Sequence, residues 1–185
     1  MPEATVTVMD FLARFRVALG WVFAPLVFIL ANPSIESIFV GTLVGLVGEG
    51  IRIWAAGHVN KAREVTTSGP YRYVAHPLYV GSSVMGAGLA IASANPLAAA
   101  LIALYLAVTL RAAVRSEEAF LRRAFGDQYD LYRRQRSADN GRRFSLAQAM
   151  ANREHRAVTG LLAAMLLLAL KATYNGAFWR AAAGQ

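Results

Sequence analysis

Residues 77–110 read PLYVGSSVMGAGLAIASANPLAAALIALYLAVTL, a run without one charged side chain. A bilayer core of ~30 Å takes about 20 apolar residues per helix, so the run is too long for one span and suits two short ones. Ser93-Ala94-Asn95-Pro96 divides it, because proline disfavours helix in the residue before it and Asn-Pro marks a turn. The stretch is therefore expected to fold as a tight hairpin of two helices, at about 78–94 and 96–114.

Three further apolar segments flank the hairpin, at about 17–31, 35–56 and 158–170, the last extending toward Trp179. With 56% hydrophobic against 16% charged residues, the chain is too apolar for an ordinary soluble domain. The expected fold is an all-α integral membrane helical bundle of about five transmembrane helices. Residues 1–10 carry no basic side chain, so the first segment reads as a retained anchor and not as a signal peptide. Glycines recur in the second and third spans (Gly41, Gly45, Gly48; Gly81, Gly86, Gly88), where close helix packing is their ordinary use. After the hairpin, 116–136 is amphipathic. Phe120, Ala124 and Phe125 fall at helical spacing, Gly126 is expected to break the helix, and Asp127 to cap the next turn. A short helix is expected near 146–150 within an otherwise polar, Arg-rich stretch.

The basic residues set an orientation, since cytoplasmic loops are enriched in Lys and Arg. Arg14 and Arg16 precede the first span, Lys61, Arg63 and Arg72 lie between the second and third, and eleven arginines lie from Arg111 to Arg156. The alternate loops at 32–34 and 93–95 have none. This expectation puts the N-terminus and the long loops in the cytoplasm and the C-terminus outside, in a cell membrane of the bacterial inner-membrane type. The net charge of +8 then suits a face drawn to anionic lipid and calls for no nucleic acid. The absence of cysteine excludes disulfides and thiolate chemistry. His58, His76 and His155 lack ligand spacing, so no metal site is expected. No dinucleotide-binding glycine fingerprint and no nucleophile elbow occurs.

Three clusters carry ionisable groups. Glu49 and Arg52 lie on one turn of the second span, where charges are costly; a functional site and a structural ion pair are equally good readings. Arg111, Arg115, Glu117 and Glu118 stand at the cytoplasmic end of the fourth span, with Arg111, Arg115 and Glu118 on one stripe. Adjacent carboxylates make sense with a cation between them, and a solvated amphipathic face is the bland alternative. The third cluster is GPYRYVAHPLYVG, residues 69–81, with two turn-forming prolines, three tyrosines suited to the interfacial belt, and His76.

This last stretch resembles the G-P-Y…R-[HN]-P-x-Y-x-G segment of the membrane methyltransferases that act on isoprenylcysteine carboxyl groups and on phospholipids. RSEEAFLRRAFGDQYDLY, residues 115–132, is similar to the same family's R-x-E-E…L…F-G-x-x-Y-x-x-Y. The two occur in the family's order, separated by one hairpin, and the resemblance covers roughly 48–136. It implies S-adenosylmethionine as methyl donor, bordered by His76, Tyr79 and Gly81, with Glu117 and Glu118 taking its ammonium and ribose hydroxyls. Gly88 matches a glycine past which the cofactor could approach. A lipophilic acceptor would arrive laterally from the bilayer, and Arg115 and Arg111 would orient an acceptor carboxylate. For an amine acceptor, Glu117 or His76 would serve as base. Carboxyl O-methylation is slightly favoured over phospholipid N-methylation. Ala75 stands where the family has Arg, the family's Val-Pro is absent at 135–137, and the fifth span has no counterpart. The division expected is 1–136 as a membrane methyltransferase core, 137–157 as a basic linker, and 158–185 as an added transmembrane helix and tail. Two rivals are a sterol-reductase-like enzyme on the same scaffold, which the double glutamate speaks against, and a non-catalytic lipid-binding or assembly protein.

Overall fold

A computed structural model describes residues 18–20, 22–61, 63–134 and 139–176. Among the described residues seven α-helices run in order: α1 (Ala18–Leu30), α2 (Ile35–His58), α3 (Pro77–Ser93), α4 (Pro96–Phe125), α5 (Asp127–Arg133), α6 (Leu146–Ala151) and α7 (His155–Tyr174). A 3-10 turn spans Gly69–Arg72 before α3, and no strand occurs among the described residues.

The hairpin forms where the sequence divides it. Helix α3 ends at Ser93, and Ala94 takes a left-handed conformation with φ of 46°. The Asn95 side chain then accepts from the amides of Leu97 and Ala98, satisfying two of the donors that a helix start leaves unpaired. Ser34 and Ser37 close a reciprocal capping box at the start of α2 in the same way.

Helices α2 and α3 pack backbone to backbone. A Cβ added at Gly88 would lie 2.5 Å from the Gly41 carbonyl, and one at Gly48 would lie 2.5 Å from the Met85 amide. Only glycine permits that approach, the small-residue solution to helix association in lipid. Leu161, Met165 and Leu168 of α7 close the same core against Ala31 and Ala92. The Lys171 ammonium donates to the carbonyls of Phe28 (2.6 Å) and Ile29 (2.8 Å), so α7 caps the end of α1.

Among the described residues three helices, α2, α4 and α7, are long and apolar enough to cross a membrane, with mean hydropathies of 1.5, 2.1 and 1.7; α1 and α3 are shorter apolar helices. Only 22–28% of each long apolar window is buried, so most of that hydrophobic surface faces outward, as lipid contact requires and water would not allow. The protein is an integral membrane helical bundle, and the five apolar helices among the described residues match the expected spans in order. The expected extension toward Trp179 falls outside the described residues. Beyond its membrane portion α4 continues to Phe125. Gly126, with φ of 48° and ψ of −124°, takes a conformation reserved for glycine and turns the chain into α5. Asp127 does not cap that helix: Gly126 is the N-cap, and Asp127 is the first helical residue.

Candidate functional site

The site begins with a backbone constraint. Gly69 has φ of 58°, and a Cβ there would sit 2.6 Å from the His58 ring, so the turn into residues 70–76 demands glycine. Pro77 then occupies the first turn of α3, and His76 is its N-cap but makes no side-chain capping bond. Its imidazole is thereby left for α4. His76 Nδ1 lies 3.7 Å from Glu117 Oε2 and Nε2 lies 3.2 Å from Glu118 Oε1. Tyr79, one turn on, hydrogen-bonds Glu117 and keeps its ring 5.7 Å from the His76 ring. Two segments 42 residues apart thus meet through one ring and two carboxylates.

The electrostatics follow from that meeting. Burial disfavours a charged imidazole, but the Glu117 and Glu118 carboxylates outweigh it, and His76 stays protonated above the ordinary 6.5. Arg133 of α5 adds a second cation, 3.4 Å from Glu118. The Tyr132 hydroxyl donates to the Tyr71 carbonyl at 2.8 Å, and burial pushes its pKa up to about 12, so it remains a donor.

Two hollows open beside the cluster. One of about 180 Å³ is lined by Lys61, Glu64, Glu117, Phe120 and Tyr129. The other, about 330 Å³, is lined by Arg72, Tyr73, Arg133 and Asp139, and Tyr71, Ala75 and Tyr132 belong to both. Tyr129 is fully buried, yet its hydroxyl has no hydrogen-bond partner among the described residues. An unsatisfied buried hydroxyl lining a hollow is a group waiting for a ligand or a water.

Of the residues singled out in the sequence, the structure brings His76, Tyr79, Glu117 and Glu118 together. Gly81 and Gly88 instead face α2: a Cβ at Gly81 would meet Arg52 Cγ at 2.6 Å and the Gly48 carbonyl at 2.7 Å, so both glycines have a packing role. Arg111 and Arg115 are exposed and take no ion pair or hydrogen bond among the described residues. Sequence reasoning missed Arg133, which belongs to no motif. It saw Tyr129 and Tyr132 only as motif letters.

Glu49 and Arg52 belong to a separate cluster. Arg52 Nε lies 2.6 Å from Glu154 and 3.8 Å from Glu49, and Nη1 donates to Ser82 Oγ. Glu154, which immediately precedes α7, gave no sign of this in the sequence. The stretch before it is docked as well: the Asn152 side-chain amide donates to the carbonyls of Ala56 (2.8 Å) and Val59 (2.9 Å), capping α2.

The signature of the phospholipid methyltransferase family matches residues 26–128. That is more than half the chain, and the protein belongs to this family. It is 36% identical over 97 residues to the nickel-cobalt-cadmium resistance protein NccN of Alcaligenes xylosoxydans xylosoxydans, covering 51% of this chain and 44% of that one. It is 33% identical over 87 residues to the protein-S-isoprenylcysteine O-methyltransferase of Schizosaccharomyces pombe, covering 47% and 37% respectively. With the cobalt-zinc-cadmium resistance protein CzcN of Cupriavidus metallidurans it shares 30% over 129 residues, covering 65% and 59%. The chain thus spans about half the length of these curated relatives. No solved structure matches it.

Proposed function

We propose that this protein is a membrane methyltransferase that uses S-adenosylmethionine to methylate a lipophilic acceptor, with carboxyl O-methylation favoured. The observation that carries the reading is the convergence of His76, Tyr79, Glu117 and Glu118 within the family-matched stretch, beside two hollows, one of them lined by Tyr129. The donor fits these residues: carboxylates suit its ammonium and ribose hydroxyls, aromatic rings suit its sulfonium, and the Tyr129 hydroxyl lacks a partner among the described residues. Glu117, Glu118, His76 and Tyr79 would hold it, with Tyr129 reaching it from α5. When bound, S-adenosylmethionine supplies an electrophilic methyl group.

The chain's own residues then position and discharge. His76, protonated between the two glutamates, lessens the repulsion between them and fixes their spacing. Arg115 and Arg111, which have no partner of their own among the described residues, are the cations for an acceptor carboxylate; no strong base is needed, and positioning carries the rate. An amine acceptor must lose a proton, and Glu117, with its side chain 39% exposed, is the group to receive it. The slight preference for the carboxyl branch rests on the His76-Pro77 pair and agrees with the relative named as an isoprenylcysteine O-methyltransferase.

The basic loops support a cytoplasmic site, because Lys61, Arg63, Arg72 and the arginines from Arg111 to Arg156 fall between spans on one side. A C-terminal reporter active only in the cytoplasm should be silent; a signal would reverse this topology. For the activity, membranes with the protein are incubated with radiolabelled S-adenosylmethionine and the lipid fraction is treated with base. Base-labile label supports the ester, base-stable label the amine. No protein-dependent label in lipid would overturn the reading.

A further inference from the structure

Between α1, α3 and α4 lies a cavity of about 340 Å³ that the site above does not use. Phe23, Val27, Leu89 and Ile102 form its apolar wall, and Arg52 and Ser82 are charged and polar groups that also line it. That composition, a largely apolar lining with a few convergent polar groups, is the ordinary make-up of a small-molecule site. A second groove on α3 and α4, which borders the first at Gly86, Ile102 and Leu106, provides the contrast: it is about 390 Å³, lined by Ala87, Ala90, Ala103 and Ala107 among others, and no charged residue lines it. Such a groove is lipid-facing surface. The first cavity has a fixed polar corner.

The chemistry of that corner selects the occupant. A guanidinium carries five N–H donors. Here one faces Glu154 and another donates to Ser82, while Nη2 takes no hydrogen bond or ion pair among the described residues. Glu49 and Glu154 are 4% and 5% exposed, so the corner holds two buried carboxylates against one guanidinium. A further anion would meet net negative charge in a poorly screened place. A neutral oxygen acceptor, the carbonyl of an ester or amide, meets the guanidinium's remaining N–H groups and adds no charge.

We infer that this cavity binds one hydrocarbon chain of a membrane lipid, with an ester or amide carbonyl of that lipid hydrogen-bonded to Arg52; the Ser82 hydroxyl, which donates to the Leu78 carbonyl at 2.9 Å and accepts from Arg52, holds the guanidinium in place. The direction of the chain follows. Ser82 is six residues along α3 from His76, about 9 Å at 1.5 Å per residue, while Leu89 lies two further turns away. The chain therefore runs toward Leu89 and the headgroup points toward His76. Glu154 acts as a positioning residue, holding Arg52 from a segment beyond the family-matched 26–128. Identifying this lipid as the methyl acceptor rests on the methyltransferase reading; occupancy of the cavity does not.

The test uses the full chain in lipid nanodiscs with a phosphatidylcholine that carries a diazirine on one acyl chain. On illumination, adducts should concentrate on 23–27 and 101–106. Ala24→Trp, which fills the cavity from an exposed position on α1, should lower them by roughly tenfold, a difference of about one decade in occupancy. Ala103→Trp in the outer groove should leave them unchanged. An unlabelled diester phosphatidylcholine should compete better than its diether analogue, which lacks the carbonyl. Adducts spread evenly over the lipid-facing helices, insensitivity to Ala24→Trp, or equal competition by diester and diether would overturn the inference. Titration of the same wild-type nanodiscs with S-adenosylmethionine reads the other claim separately: absent donor binding would sink the methyltransferase reading and leave the labelling result standing.

Discussion

The molecule contains two clusters of the same chemical kind, a cation held between two carboxylates, and they differ in what surrounds them. In the first, Arg52 sits between Glu49 and Glu154, and both carboxylates are nearly sealed. In the second, His76 sits between Glu117 and Glu118, whose side chains are 39% and 18% exposed. The sealed cluster joins three chain segments (α2, α3 through Ser82, and the residue before α7), and its Arg52 also lines a cavity. The open cluster lies against hollows. Buried charge chiefly holds structure together, and half-open charge remains free to take a ligand.

The largest effect should come from breaking the sealed cluster. Glu154→Ala leaves Arg52, whose side chain is 20% exposed, with the more distant Glu49 as its carboxylate partner; removing one partner of a fully buried pair costs about 3–5 kcal/mol, which sets the upper bound here. Thermal unfolding in detergent should show a clear loss, with the isosteric Glu154→Gln falling between the two. An unchanged melting temperature would make the two clusters alike and remove the contrast.

Next in size is Glu118→Gln, which keeps the shape and removes the charge. A hydrogen bond to a charged group contributes roughly 1.5–3 kcal/mol, so the dissociation constant for S-adenosylmethionine should rise about 10- to 150-fold. Asp130→Asn, which breaks only the exposed pair with Arg122, should stay within about 1 kcal/mol. Equal constants for the wild type and both variants would take Glu118 out of the donor site.

A smaller, pH-dependent effect belongs to His76. Its folded pKa lies above the 6.5 of the unfolded chain, so its contribution to stability is full below pH 6.5 and is lost as pH rises through the folded value. The stability difference between wild type and His76→Gln should shrink across that window. A constant difference would mean that His76 contributes through packing and not through charge. Smallest of all on donor affinity is Arg115→Ala, expected within about 0.5 kcal/mol, with methyl transfer to a carboxylate acceptor falling instead. A lost donor affinity would place Arg115 with Glu118.

How far the sequence could be read follows the same division. The hairpin at 93–96 was legible because Asn-Pro acts on its own backbone, and the five apolar segments were legible because lipid imposes length. His76 meeting Glu117 and Glu118 could be anticipated only through two linked motifs. Arg52 pairing with Glu154 could not, since no periodicity connects positions 102 apart and Glu154 lies in a stretch that reads as polar surface. For Gly81 and Gly88 the sequence supports helix packing and cofactor approach alike, and the contact distances to α2 make the packing role plain.

The Lys171 bond to the carbonyls of Phe28 and Ile29 has a consequence for biogenesis. During synthesis α1 leaves the ribosome early and its last carbonyls have no side-chain partner until α7 is made, more than a hundred residues later. At that depth an unpaired carbonyl favours water or headgroups over hydrocarbon. The first helix can insert alone, but its final seating waits on the last, and a chain arrested before Lys171 should be held less firmly at its beginning.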